Sequence, residues 1–210
     1  MPQATRAEFL KYEAAVHATL TRAPHENVLP VSAVVSVPAA SAADAAARAT
    51  QETAWAMAPV PSRVRGGLAL VQPKVDMDLH TYIRKRGRLP LAEARALFGQ
   101  LVAAVAHCHS LGIVLRDLKL GKVFFADETH ERIVLGDLEG AQLMPTPEDS
   151  MLLAEHRAAS AYVSPESLDD LPHDPAAVDM WALGVIFNVL LTGSYPFQDD
   201  VYVGGEQRAQ

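Results

Sequence analysis

Apolar residues recur at helical spacing in four stretches of the chain. Apolar side chains at every third or fourth position form one face of an α-helix that can pack against a core. On this pattern the sequence predicts helices over residues 6–21, 79–86, 90–109 and 175–191. The first follows the capping-box sequence TRAE at residues 5–8. The last is apolar on nearly every side, which is typical of a buried helix.

Shorter stretches rich in β-branched residues predict strands between these helices. They cover residues 28–37, 67–72, 123–126 and 132–135, and the last two predict a hairpin around a polar turn. Residues 39–58 are alanine-rich, and we interpret them as an exposed insertion or loop rather than a helix. Residues 137–173 are mostly polar and predict irregular structure. This order indicates an α+β fold and not a repeating βαβ sheet.

The charge balance and the cysteine content narrow the classes of function. There are 25 acidic residues against 18 basic ones, which argues against a general nucleic-acid binder and against docking on an anionic membrane. Cys108 is the single cysteine, so no internal disulfide can form. The charged N-terminus lacks the apolar run of a secretory signal, and no apolar stretch reaches the length of a membrane span. We expect a soluble intracellular protein, cytoplasmic or nuclear.

Four motifs follow one another in the second half of the chain. They are Leu115-Arg116-Asp117-Leu118-Lys119-Leu120-Gly121-Lys122, Asp137-Leu138-Glu139, Ser164-Pro165-Glu166 and Asp179-Met180-Trp181-Ala182-Leu183-Gly184. In this order they resemble the catalytic loop, the metal-binding triplet, the end of the activation segment and the buried-helix signature of the protein kinase domain. The resemblance covers roughly residues 5–197. It implies a protein-kinase-like fold with an incomplete small lobe and a partial helical large lobe.

The departures from these motifs are similar to those of the Tribbles pseudokinases, in the calcium/calmodulin-dependent kinase group. The similarity lies in AVAHCHSLGIVLRDLKLGKVFF, in the Leu-Glu that follows Asp137, and in AYVSPE. Tribbles proteins have lost parts of the metal-binding apparatus, including the first residue of the metal-binding triplet. Because this chain keeps Asp137, the resemblance places it between an active kinase and those pseudokinases.

The resemblance implies roles for three residues of the site. Asp117 would orient the substrate hydroxyl and accept its proton, and Lys119 would contact the transferring phosphate. Asp137 would hold a magnesium ion between the nucleotide phosphates. The plainer alternatives are a turn or helix-cap aspartate at 117, a solvated lysine at 119 and a structural acid at 137.

Lys122 stands where kinases have the asparagine that holds a second magnesium ion. A cation there repels a divalent metal by several kcal/mol, even at an effective dielectric constant of about 20. We therefore expect two-metal binding to fail. Alternatively, the Lys122 ammonium neutralises phosphate charge directly and replaces one metal. ATP binding would then be weak or independent of metal.

Further residues qualify this picture. Arg116 would meet an activation-loop phosphate or pair with an acidic residue such as Glu148 or Asp149. Glu139 replaces a glycine, so the active backbone geometry should be harder to reach. Asp179 would accept backbone hydrogen bonds from the catalytic loop. His107 and His109 flank Cys108 on neighbouring helix faces, which favours packing over a metal site.

The predicted organisation is a partial small lobe (1–73) and a partial large lobe (74–210), with the catalytic loop at 113–122 and the activation segment at 137–166. No phosphate-covering G-x-G-x-x-G loop lies upstream, so we expect a kinase domain clipped at both ends. The leading hypothesis is a Tribbles-like pseudokinase that regulates signalling by binding signalling proteins, with weak or no phosphotransfer. The alternative is an active ATP-dependent Ser/Thr protein kinase whose glycine loop and strand lysine lie outside this sequence.

Overall fold

A computed structural model describes residues 6–37, 67–144, 160–168 and 173–197. The chain divides into two compact units, one of residues 29–75 and one that combines the residues before 29 with those after 75. The predicted insertion at 39–58 lies outside the described residues. The predicted boundary between lobes at residues 73–74 stays a prediction.

The smaller unit contains one antiparallel strand pair. β1 (Ala33–Val37) pairs with β2 (Gly67–Val71), in a register that runs from Ala33 opposite Val71 to Val37 opposite Gly67. The first strand is shorter than the predicted 28–37. Pro30 lacks a backbone N–H and cannot donate to a strand ladder, which explains why the strand begins only after it.

In the part of the larger unit that the structure describes there are four helices, close to the predicted bounds. They are α1 (Arg6–Arg22), α2 (Leu79–Arg86), α3 (Leu91–Ser110) and α4 (Pro175–Thr192). The Asp78 side chain caps α2 by accepting from the backbone N–H of Thr81 at 2.7 Å. Asp174 caps α4 in the same way, and Gly193 ends it in the left-handed conformation that glycine adopts without strain.

Three short strands follow α3, and a fourth lies near the start of the activation segment. β4 (Val123–Phe125) and β5 (Ile133–Leu135) form the predicted hairpin. β3 (Ile113–Val114) pairs with β6 (Gln142–Leu143), and two residues are too few for a periodic pattern to reveal either strand. Three 3₁₀ turns complete the unit, at Leu120–Lys122, Ser160–Tyr162 and Pro165–Leu168.

Gly112 allows β3 and β6 to approach each other. Its φ is +69°, and a Cβ atom built there would lie 2.9 Å from the carbonyl oxygen of Met144. The Met144 N–H donates to the Gly112 carbonyl at 2.7 Å. A side chain at position 112 would therefore both strain the backbone and push the two strands apart.

α4 lies in the core of the larger unit. Phe187 of α4 stacks on Phe98 of α3 with ring centroids 4.4 Å apart. By length and composition α4 is apolar enough to cross a membrane, with a mean hydropathy of 1.6 over 18 residues. The same composition is found in the core helices of soluble proteins. Its residues Ile186 and Leu190 are fully buried against the other elements of this core.

α1 is fastened to α3 and β5 by the segment that follows it. The Asn27 side chain donates to Gln100 of α3 at 3.0 Å and to the Ile133 carbonyl at 2.8 Å. His107 contacts the Ala23 carbonyl through its Nε2 at 2.8 Å and stacks on His25. The prediction of simple packing at His107 therefore missed a specific hydrogen bond to the end of α1.

Candidate functional site

The start of the catalytic loop is hydrogen-bonded to one buried carboxylate on α4. Asp179 is 1% exposed and accepts from the backbone N–H groups of Leu115 and Arg116, each at 2.8 Å. A third contact, at 2.9 Å, comes from Nε2 of His109 at the end of α3. All three donors converge on one side chain, so Asp179 fixes the start of the loop as the motif predicts.

Arg116 takes the first unusual backbone angle of the loop. Its φ is +62°, a conformation that few residues other than glycine adopt. The backbone hydrogen bond to Asp179 holds it there, and Nη1 donates to Gln142 Oε1 of β6 at 2.9 Å. The predicted acidic partners at 148 and 149 lie outside the described residues.

Asp117 lies between two lysine side chains. Its Oδ2 receives Lys119 Nζ at 2.7 Å and Lys122 Nζ at 3.0 Å. Its Oδ1 is buried and has no hydrogen-bond partner. Lys119 is therefore an ion-pair partner of Asp117 and not only a solvated surface lysine.

Lys122 is the most buried cation of the group, with 8% of its side chain exposed. Besides Asp117, its ammonium contacts Asp137 Oδ1 at 3.9 Å and donates to the Glu139 backbone carbonyl at 2.9 Å. Burial of an ammonium costs several kcal/mol unless such partners compensate it. Lys122 thus serves as an internal counter-ion for the two carboxylates that a kinase would offer to metal and substrate.

Within the metal-binding triplet, Asp137 is the residue with a positive φ. Its φ is +48°, and Gly140 has a φ of +104°. Glu139 itself has no positive φ in this structure, and the expectation that it makes the active backbone geometry harder to reach stays a prediction. The glycine one residue later takes the demanding angle instead. Leu138 is buried in the same hydrophobic cluster as Val16 and Leu20 of α1.

A divalent metal does not fit the charges around Asp137. An ammonium 3.9 Å from Asp137 and 3.0 Å from Asp117 lies beside the carboxylate that would hold the metal. A unit charge 4 Å away contributes roughly 4 kcal/mol at an effective dielectric constant of 20, and a divalent ion would feel twice that repulsion. The donor set is also one amide oxygen short, because Lys122 has only N–H donors. The residues present therefore do not support two-metal chemistry.

A second set of contacts ties the end of the activation segment to the catalytic loop. The Tyr162 hydroxyl receives the Leu120 N–H at 3.3 Å and lies 3.1 Å from the Tyr195 hydroxyl. The two tyrosine rings meet edge to face, with centroids 5.5 Å apart. This pair connects the segment both to the turn that carries Lys122 and to the loop after α4.

The family of the chain follows from its match to a sequence model. The model described as "Protein kinase domain" matches residues 64–208, which is more than half of the chain. The chain belongs to the protein kinase domain family. This agrees with the predicted α+β, kinase-like fold and with the four motifs in their order.

Curated relatives of this kinase domain carry the Tribbles name. Tribbles homolog 3 of Bos taurus is 47% identical over 123 residues, 58% of this chain and 34% of the relative. Tribbles homolog 3 of Homo sapiens is 41% identical over 143 residues, 66% of this chain and 39% of the relative. Tribbles homolog 1 of Homo sapiens is 45% identical over 123 residues, 58% of this chain and 32% of the relative. The kinase domain is Tribbles-like, and it spans roughly a third of the length of these relatives.

The structure brings the four predicted site residues of the kinase domain into one cluster. Asp117, Lys119 and Lys122 share ion pairs, and Asp137 joins them through Lys122. Their catalytic or binding roles stay predictions. The sequence analysis predicted that His109 only packs at the end of its helix. It missed the contact of His109 with Asp179, for which no local sequence pattern gave a signal.

The end of the activation segment is held without an ion pair at Glu166, as far as the described residues extend. Ser164 is fully buried, and its hydroxyl lies 2.8 Å from that of Ser167. Ser167 in turn approaches His173 Nε2 at 3.4 Å. This short chain of polar groups leads from the Ser-Pro-Glu motif to the residue before the N-cap of α4.

Two groups near the site have raised pKa values. Burial raises the pKa of the Cys108 thiol to about 12, and the charge of Asp179 adds to the shift. Burial also raises the pKa of Tyr162, with a further contribution from its hydrogen bond to Tyr195. Both groups are neutral at physiological pH, so Cys108 is not a nucleophile candidate.

Proposed function

We propose that this chain is a Tribbles-like pseudokinase module that regulates signalling by binding signalling proteins, with weak or no phosphotransfer. The observation that carries the proposal is the position of Lys122. Its ammonium lies 3.0 Å from Asp117 and 3.9 Å from Asp137, close enough to repel a metal ion that Asp137 would hold. The kinase framework around it is retained, so the module keeps a kinase shape without the ion that drives turnover.

Loss of the metal site affects the rate because phosphoryl transfer depends on charge neutralisation and positioning. Asp117 would act as base in an active kinase, but Lys119 and Lys122 both engage its Oδ2. Oδ2 is thus occupied by two ammonium groups and Oδ1 is buried, so neither oxygen is free to meet a substrate hydroxyl. Turnover is therefore disfavoured at the base as well as at the metal.

Nucleotide binding, if retained, is proposed to be weak and independent of magnesium. Lys122 and Lys119 supply fixed positive charge in the place of a mobile ion. ATP and Mg²⁺ serve active members of the kinase family, and their binding to this chain is part of the proposal. The proposed protein partners, and an intracellular location with no nucleic-acid or membrane partner, rest on the charge balance and the Tribbles similarity.

The test uses the 210-residue chain with ATP in the presence of Mg²⁺ or of EDTA. We expect any ATP-induced rise in melting temperature to be equal in the two conditions, and phosphate transfer to a generic protein substrate to stay at background. The variant Lys122→Asn restores the amide, and we expect it to make ATP binding dependent on Mg²⁺. The matched control Lys119→Met removes an ammonium from the same carboxylate but leaves Lys122 in place.

Two results would overturn the proposal. One is Mg²⁺-dependent transfer by the unmodified chain at the 1–100 s⁻¹ of ordinary protein kinases, roughly. The other is ATP binding that EDTA abolishes. The first result would favour the alternative of an active Ser/Thr kinase, which the retained Asp117 and Lys119 support.

A further inference from the structure

Lys122 is bonded to the start of the activation segment through both its main chain and its side chain. Its carbonyl accepts the N–H of Gly136 at 2.9 Å. Its ammonium, at the other end of the residue, donates to the Glu139 carbonyl at 2.9 Å. One residue therefore bridges the two ends of the four-residue stretch 136–139.

The bridged stretch contains a strained residue. Asp137 has a φ of +48° and keeps 52% of its side chain exposed, so its own packing does not explain this backbone angle. Positive φ in a residue other than glycine persists only where the surroundings hold it. The groups that do so here are Lys122, on both sides of Asp137, and the buried Leu138 beside it.

Asp117 fixes the position of the Lys122 ammonium. The ammonium is held 3.0 Å from Asp117 Oδ2, and Asp117 also receives Lys119. With 8% of the side chain exposed, water competes little for these contacts. The carbonyl of Glu139 is thus bonded to a cation whose own position is fixed, which makes this hydrogen bond a charge-assisted one.

We propose that Lys122 is a built-in clamp that holds residues 136–139 in one conformation in the absence of nucleotide and metal. In a kinase that uses magnesium, the ion and nucleotide supply the charge that orders this stretch, so its conformation follows ligand occupancy. Here the charge is covalently part of the chain. The inference rests on the proposed function, because the clamp is the same lysine that lies beside the carboxylate that would hold the metal. It deepens that function by assigning to Lys122 the ordering of this stretch that a bound metal would otherwise supply.

The test is hydrogen–deuterium exchange of the 210-residue chain without nucleotide, followed by mass spectrometry of peptides that cover 134–144. We expect Lys122→Met to accelerate exchange in these peptides at least tenfold, while peptides of α3 keep their protection. Lys119→Met is the matched control, since it removes an ammonium from Asp117 without touching 136–139, and we expect it to leave these peptides unchanged. Addition of ATP with Mg²⁺ should not increase protection in the unmodified chain.

A second variant covers the case in which Lys122→Met loses protection throughout the chain. Lys122→Gln keeps a donor for the Glu139 carbonyl but removes the charge, and we expect an intermediate acceleration confined to 134–144. Unchanged exchange of 134–144 in both variants would overturn the clamp, as would strong extra protection from ATP with Mg²⁺ in the unmodified chain. Because exchange is measured without phosphotransfer, the clamp can fail while the pseudokinase proposal stands, and the reverse.

Discussion

Two aspartates of the same domain have opposite surroundings. Asp179 on α4 is 1% exposed, and both of its oxygens receive backbone N–H groups of the catalytic loop. Asp117 in that loop has one oxygen shared by two ammonium groups and the other buried without a partner. The first is the arrangement of a structural anchor, whereas the second leaves a buried acceptor unsatisfied at a cost to stability.

The contrast shows that the contacts that hold the catalytic loop are present while the surroundings of Asp117 are changed by Lys122. The anchor at Asp179 holds the loop through backbone donors, which any sequence with this fold supplies, and His109 adds a side-chain contact. The centre at Asp117 depends on the identity of its neighbours, and there Lys122 has replaced an amide. Under the proposed function, a kinase-like framework persists although a lysine ammonium lies beside the carboxylate that would hold metal.

Asp179→Ala tests the anchor role of Asp179 most directly, and we expect it to have the largest effect. It leaves the N–H groups of Leu115 and Arg116 and the ring of His109 without their shared acceptor, and removal of one partner from such a buried network costs about 3–5 kcal/mol. Urea denaturation of the chain measures the loss. Asp174→Ala, at the exposed N-cap of the same helix, is the control, and we expect about 1 kcal/mol. Equal costs for the two variants would contradict the anchor role.

The reactivity of the Cys108 thiol tests the surroundings of Asp179 without a substitution in the loop, because burial and the charge of Asp179 both raise the pKa of this thiol. Its pKa is raised from 9.0 to about 12 in the folded chain, so at pH 8 its thiolate fraction should be roughly a thousand times below that of the unfolded chain. Reaction with a thiol reagent, with and without urea, measures this ratio. The neutral thiol stabilises the fold fully below pH 9, and this contribution is lost as pH rises through about 12. Equal rates in folded and unfolded chains would show that the thiol is not buried.

Gly112→Ala tests the strand pair that joins the loop to the activation segment. The added Cβ would lie 2.9 Å from the Met144 carbonyl, at a φ of +69° that alanine disfavours. We expect a loss of about 2 kcal/mol, measured by urea denaturation, with faster hydrogen exchange in 142–144. Gly121→Ala is a suitable comparison, because a Cβ there meets no atom within 4 Å. A neutral result at 112 would mean that the strands do not approach as described.

Tyr195→Phe is the mildest test. It concerns the tyrosine pair that connects the end of the activation segment to the catalytic loop and to the loop after α4. It removes one hydroxyl contact to Tyr162 and keeps the edge-to-face rings, so we expect a loss of about 1 kcal/mol. Tyr162→Phe should cost more, because the Leu120 N–H then loses its acceptor as well. Chemical denaturation of both variants decides the order, and a larger loss at 195 than at 162 would reverse it.

Much of this fold could be predicted from the chain alone. The four helices were recognisable by their periodicity and caps, and the β4–β5 hairpin by its paired apolar runs. The two-residue strands β3 and β6 could not be predicted, since pairing between residues 113–114 and 142–143 is a long-range contact with no local pattern. The residues of the site were recognisable by motif, but their ion pairs were not.

The order of motifs and the replacement of an amide by Lys122 were determined by the sequence, because residue identity and spacing are local properties. Tertiary structure alone decided where the Lys122 ammonium goes, that Asp137 and not Glu139 bears the strained angle, and that His109 reaches Asp179. A long side chain has several staggered rotamers, and only the surrounding carboxylates and carbonyls select one of them.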